Sequence, residues 1–288
     1  DKKPRAKIED ARANCAKLEF KNPPKPSFLG TKTFKNFPLK DLVDYIDWTP
    51  FFSSWELAGT YPAILRGNIV GEAAKNLFKD AQKMLSDIVE KNWVTANAVI
   101  GFWPANQQGD DIVVWADENR NQKLASFHAL RQQMVKDVTR PNYALSDYIA
   151  PVGTADYIGG FAVTTGIAEV AKANEFKAKH DDYSAILFQS LCDRLAEAFA
   201  EKMHCLVRRE YWGYAQDENL SIEEIIGEKY QGIRPAPGYP AQPDHTEKTT
   251  LFEILDATNQ TDIHLTSSLA MDPPSSVSGL YFSHENAE

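Results

Sequence analysis

Arg234 is the residue best placed to do chemistry, because it stands on a main chain with little freedom: Ile233-Arg-Pro-Ala-Pro-Gly-Tyr-Pro240. Prolines hold φ at about −65°, lack an N–H, and push the residue before them toward extended conformations. A guanidinium on so stiff a segment suits a carboxylate, which it grips through two parallel hydrogen bonds. Gly238 removes a side chain between Pro237 and Tyr239, so a small ligand could lie against the main chain there, with Ala236 and Tyr239 beside it. Anionic candidates are Glu228, just upstream, and Glu197, within a long helical run, while Asp47 stands just outside the helix start at Trp48-Thr49-Pro50. Each has a structural alternative. Asp47 would cap a helix, Arg234 would pair with Glu228, and Tyr239 would pack. Asp193, Glu197 and Glu201 lie four apart, the usual spacing of a solvent-facing stripe, with a functional Glu197 the rarer outcome. Glu223 and Glu224 read as part of a solvated, capped helix.

The elements that must present these residues follow from periodicity. Ser221-Ile-Glu-Glu224 is a capping box that opens a short helix leading into the Arg234 segment, and the segment itself suits neither a helix interior nor a central strand. Residues 181–209 form the longest helical pattern, with Phe188, Leu191, Leu195, Ala198, Phe199, Met203 and Leu206 as its stripe and Asp181 and Asp182 at its positive end. Residues 72–91 form a second amphipathic helix. Thr49-Pro50 predicts an N-cap followed by proline at the first helical position. Residues 97–103 and 112–115 read as a hairpin, 123–136 as a helix, and the glycine-interrupted run 157–165 as a strand against which something packs closely. A helix over 246–255 and strands near 264 and over 277–282 complete the chain. Strands and helices interleave irregularly, which predicts an α+β fold with a mainly antiparallel twisted sheet flanked by long helices. The polar, proline-containing residues 1–26 read as a linker from an upstream region, and 27–288 as the domain.

The chain's 288 residues, 43% of them hydrophobic, suffice for an ordinary core. A formal charge of −9, from 31 basic and 40 acidic residues, argues against broad binding to nucleic acid. No run approaches the roughly 20 apolar residues of a membrane span. Three cysteines at unrelated spacings suggest reduced thiols in a cytoplasm. The sequence has no Gly-x-Gly-x-x-Gly, Walker loop, His-Glu-x-x-His or Gly-x-Ser-x-Gly, so common nucleotide, metalloprotease and serine-hydrolase readings lose weight. Asp262-Ile-His264 reads as a strand end.

The Arg234 string stands in order with Tyr45-Ile-Asp-Trp-Thr-Pro-Phe-Phe52, His180-Asp-Asp-Tyr183, Asp193-Arg-Leu-Ala-Glu-Ala-Phe-Ala200, Tyr211-Trp-Gly-Tyr214 and Val277-Ser-Gly-Leu-Tyr-Phe-Ser283. On these strings the chain resembles the activation domain of cobalamin-dependent methionine synthase, over nearly its whole length. The resemblance implies a module that binds S-adenosyl-L-methionine and supports reductive methylation of cob(II)alamin to methylcobalamin. It implies as partners a cobalamin-binding domain of the same polypeptide, which holds the cobalamin, and a flavodoxin or flavodoxin-like reductase as electron donor. It places ligand contacts on Asp47 and Arg234, with Gly238 and Tyr239 completing the second motif.

The chemistry of such a ligand fits independently. Arg234 suits its carboxylate and Asp47 its ammonium, while main-chain carbonyls of the extended prolines are expected to be free for the sulfonium or the adenine amino group. Methyl transfer from a sulfonium to a strong nucleophile moves no proton and needs no general acid or base, in keeping with the missing triads. A stand-alone module that binds or senses S-adenosylmethionine without corrinoid chemistry is the alternative. Family members continue past the Tyr-Phe-Ser string into a Lys-Tyr-Tyr or Lys-Tyr-Phe segment that touches the ligand; that segment has no counterpart here, so the C-terminal tail is expected to be truncated.

Overall fold

The longest apolar runs of the chain become the middle of a sheet with helices on both faces. The computed structural model describes residues 4–137 and 139–287. It opens with α1 (Ile8–Ala13), β1 (Gly30–Phe34), α2 (Trp48–Ser54) and α3 (Gly71–Glu90). The strands β2 (Thr95–Gln108), β3 (Asp111–Trp115), β4 (Lys123–His128) and β5 (Asp156–Ile167) follow. Next come α4 (Glu169–Lys177), α5 (Asp182–Leu206) and α6 (Ile222–Ile226). The chain then forms α7 (Glu247–Leu255), α8 (Ala257–Thr261), β6 (His264–Leu265), β7 (Met271–Asp272) and β8 (Ser276–Tyr281).

The main sheet has the order β4-β3-β2-β5-β8, and β1 also pairs with β2. Every ladder among the described residues is antiparallel, as the irregular interleaving predicts. β2 is apolar on both sides. Ala98, Ile100 and Phe102 join Phe161, Val163 and Tyr281 against α2, α3 and α5, whereas Val99, Trp103 and Ala105 join Ile158, Leu280 and the α7 residues Leu251, Phe252 and Leu255. A strand covered on both faces reads as a continuous apolar run. Close approach explains the glycines of β5: a Cβ on Gly160 would sit 2.7 Å from Leu251 Cδ1.

Three local expectations change. Residues 123–136 are not a helix: β4 pairs with β3, and the chain then runs extended past it. The apolar pattern misleads because Arg131 points inward and Leu130 outward. Phe127, Ala129 and Arg131 are buried in alternation while Leu130 is 56% exposed, and Arg131 is held by Asp110 and Asp147, each at 2.7 Å. The cap of α2 is Asp47 rather than Thr49, with Oδ1 accepting from the Thr49 N–H at 2.9 Å. Pro50 therefore occupies the third helical position, where the missing N–H has no intrahelical partner in any case. The hairpin ladder reaches Gln108 and Asp111, leaving only Gly109 and Asp110 in its turn.

In the amino-terminal segment read as a linker, residues 1–3 lie outside the described residues. Farther along, Ala11 is buried, Arg12 Nε donates to Asp110 at 2.7 Å, and Trp212 Nε1 donates to the Pro24 carbonyl at 2.8 Å.

Candidate functional site

The proline-locked segment lies along β8 at the edge of the sheet. The Ile233 N–H donates to the Phe282 carbonyl and the Phe282 N–H to Ile233, each at 3.1 Å, and the Leu280 N–H donates to the Pro235 carbonyl at 2.9 Å. An edge position suits prolines, which cannot donate to a further strand. Gly279 makes the approach possible, since a Cβ there would come within 2.7 Å of the Pro235 oxygen. The carbonyls expected to be free are partly in use. Among the prolines, Pro235 accepts from Leu280; in the turn that follows, Ala236 accepts from the Tyr239 N–H at 3.2 Å and Tyr239 from the Gln242 N–H at 2.9 Å. Folding satisfies them because a carbonyl buried at a sheet edge or in a tight turn must find a donor.

Behind the segment stands the last third of α5. Arg234 Nη2 pairs with Glu201 Oε2 at 2.7 Å, with the arginine side chain 20% and the glutamate side chain 7% exposed. Arg234 Nη1 donates to the Tyr230 hydroxyl and lies 3.4 Å from His204 Nδ1. The structural partner of Arg234 is thus Glu201 rather than Glu228. One turn farther, Arg208 is fully buried, grips Glu218 through two hydrogen bonds of 2.7 Å, and lies over the Tyr230 ring at 3.8 Å. It belongs to a π-helical turn, Val207–Tyr211, that ends α5. Burial pushes the Glu201 carboxyl above its ordinary value against the pull of Arg234 and Arg208. Burial, with Arg208 and Arg234 nearby, keeps His204 neutral, well below its usual value. Glu201 Oε1, Arg208 Nη1 and the Tyr281 hydroxyl are buried without a hydrogen-bond partner among the described residues.

Arg234 opens into a cleft of about 780 Å³ that is also lined by Glu197, Glu228, Tyr230, Ala236 and Tyr239. This volume lies within the range of small-molecule sites. Glu197 is half-buried, and burial raises its carboxyl above the ordinary glutamate value, with Arg194 pulling the other way. Glu228 is exposed, in the left-handed conformation (φ 54°) that closes α6. Tyr239 is 64% exposed at the rim.

Gly238 has φ +101°, and the space where a Cβ would stand is filled by the His245 imidazole; the face left open to a ligand in the sequence is taken by protein. Asp47 lines a neighbouring cavity of about 860 Å³ together with Trp48, Tyr61, Ile222, Glu223 and Ile226. The cavity of Asp47 and that of Arg234 flank α6, which contributes Ile222, Glu223 and Ile226 to the first and leads into Gly227 and Glu228 of the second. The structure therefore brings Arg234, Ala236, Tyr239, Glu197 and Glu228 to one cleft, leaves Gly238 in the supporting turn, and sets Asp47 across α6.

Sequence reasoning missed Glu201, His204, Arg208 and Tyr230. A signal existed. Residues 197, 201, 204 and 208 follow the i, i+4, i+7, i+11 spacing of one helical face, and Asp193 is exposed, Glu197 half-buried and Glu201 buried along it. A stripe that begins polar and ends inside the core marks a helix diving beneath a site.

Comparison with known proteins bears on the family and the fold. The family model described as vitamin B12 dependent methionine synthase, activation domain, matches residues 38–288. Among solved structures the chain is similar to the MetH reactivation domain bound to AdoHcy, with a TM-score of 0.95 and 49% sequence identity over 99% of this chain and 88% of that one. No described helix is long and apolar enough to cross a membrane.

Proposed function

The chain belongs to the family of activation domains of vitamin B12-dependent methionine synthase, and on that premise we propose that its Arg234 cleft binds S-adenosylmethionine during reactivation of a corrinoid held by another domain of the same enzyme. S-adenosylmethionine would supply an electrophilic methyl group to the corrinoid cobalt, which a flavodoxin-like donor would provide with one electron, and would leave as the thioether S-adenosylhomocysteine, in the cytoplasm. The enzyme served is 5-methyltetrahydrofolate-homocysteine methyltransferase. This chain binds and orients the methyl donor.

The observation that carries the reading is the Arg234 guanidinium itself. Of its five N–H donors, at most three are engaged, by Glu201, Tyr230 and His204. Nε and one Nη2 hydrogen have no partner among the described residues, and a guanidinium with donors to spare in a cleft suits a carboxylate. Glu197 and Glu228 from within the cleft, and Asp47 from across α6, supply negative charge for the ammonium and sulfonium, so that the lining carries more anions than cations for a ligand of net charge about +1. The second carboxylate oxygen of Asp47 has no hydrogen-bond partner among the described residues. Ala236 offers a low wall of main chain and a methyl group, Gly238 shapes the turn that carries it, and Tyr239 covers the ligand from the rim.

Calorimetric titration of the chain with S-adenosylmethionine tests the reading. Arg234→Ala is expected to weaken binding at least about tenfold, the loss of one charge-assisted hydrogen bond. Unchanged affinity would show that the carboxylate is held elsewhere. Asp47→Asn and Glu197→Gln, titrated in parallel, separate the two sides of α6.

A further inference from the structure

The back of the cleft points to a function for a residue that never faces it. We infer that Glu201 is a positioning residue, which holds the Arg234 guanidinium in the orientation that receives the ligand's carboxylate. The inference rests on the reading that Arg234 binds that carboxylate.

Two rigid elements meet at this pair. Arg234 rises from a proline-locked edge strand bonded to β8, and Glu201 projects from α5, flanked by the buried residues Ala198, Ala200 and Met203. Between them lies only the flexible arginine side chain, and the Nη2–Oε2 bond of 2.7 Å pins its far end. Tyr230 and His204 fix Nη1 from the same side. An arginine has several rotatable bonds to immobilise, so one held in place before the ligand arrives loses less entropy on binding. The cleft also contains competitors: Glu197 and Glu228 line it together with Arg234. Without Glu201 either carboxylate could draw the guanidinium toward itself.

Charge and positioning predict opposite signs. If Glu201 merely neutralised Arg234, its removal would strengthen the hold on an anionic group. If it positions Arg234, removal weakens that hold, and only for ligands that carry the carboxylate.

The experiment is a paired titration of the full 288-residue chain with S-adenosylmethionine and with its decarboxylated analogue, which keeps the sulfonium and adenosine. The wild type is expected to prefer the carboxylated ligand by about tenfold or more. Glu201→Ala is expected to collapse that preference to within about threefold, by weakening S-adenosylmethionine while leaving the analogue unchanged. Glu201→Gln keeps an amide oxygen to accept from Nη2 and is expected to fall between the two. Equal weakening of both ligands would overturn the inference in favour of a packing role, and tighter binding of S-adenosylmethionine would overturn it in favour of charge competition. Should Glu201→Ala fail to fold, the near-isosteric glutamine variant decides: a lowered ratio supports positioning and an unchanged one refutes it. A wild type that does not distinguish the two ligands would instead refute the carboxylate reading of Arg234, and this inference with it.

Discussion

Replacing Arg234 by methionine should destabilise the fold in a pH-dependent way, because it strips a buried carboxylate of its partner. Glu201 is 5% exposed, its Oε1 already lacks a hydrogen-bond partner among the described residues, and its Oε2 would lose the 2.7 Å contact with Arg234. Breaking a buried ion pair from one side costs about 3–5 kcal/mol, and the partial exposure of Arg234 argues for the lower end. At about 2–4 °C per kcal/mol, the melting temperature near pH 8 should fall by about 6–12 °C.

The sign with pH follows from linkage. Burial lifts the folded-state pKa of Glu201 above its ordinary 4.5, so the unfolded chain ionises first as pH rises, and the native state is penalised from that value upward until the folded group has ionised too. Removing Arg234 takes away an opposing pull, widening the window and deepening the penalty. At pH 5 the variant should therefore lie closer to wild type than at pH 8. Adding Glu201→Leu should recover most of the loss, since an apolar pair in place of a buried ion pair is often neutral or stabilising. Thermal melts at the two pH values provide the assay. Equal losses at both, or a double variant no better than the single one, would refute the account of Glu201 as a buried charge dependent on Arg234.

Gly238→Ala should cost at least about 1–2 kcal/mol in urea unfolding, because it forces a left-handed φ on alanine and pushes against His245; His245→Ala in the same background should relieve the steric part. Ser221→Ala removes the hydroxyl that accepts from the Glu224 N–H at 3.2 Å, a loss of about 1 kcal/mol that should appear as faster amide exchange in α6. Arg131→Met leaves Asp147 buried without its cationic partner and should cost about 3–5 kcal/mol by chemical denaturation. Burial lifts the Asp110 carboxyl, but hydrogen bonds from Arg12 and Arg131 outweigh it and hold the group below the usual aspartate value. Its contribution is therefore present above the unfolded pKa and lost as pH falls through the folded one, and Arg131→Met should flatten that acid limb. Because burial raises Glu197, it loses its charge sooner than an ordinary glutamate on acidification. S-adenosylmethionine affinity should then fall as pH is lowered toward the glutamate range in the wild type, and Glu197→Gln should remove that dependence.

Much of the framework was legible because local signals agreed with the final packing. The stripe of α5 and its acidic start were written in the residues; the structure adds that the Asp181 side chain caps the helix, accepting from the Ser184 N–H at 3.0 Å. So were the Ser221 capping box and the apolar β2 and β5. Residues 123–136 were misread because Arg131 occupies a core position that Asp110, Asp147 and the Asn142 carbonyl, distant in sequence, make tolerable. A hydrophobic pattern carries no record of such a partner.

The same division runs through the site. The sequence by itself determined that Arg234 would sit on a stiff, extended edge, since proline geometry is local, and that an anionic set would accompany it. Only the tertiary structure decided which anion holds it, which carbonyls remain free, and on which side of α6 each carboxylate falls. Glu201 and Arg234 are 33 residues apart in the numbering, and their pairing is set by how α5 packs beneath β8 and its edge strand. Pairings of that kind depend on the burial of both groups together, which no window of sequence contains.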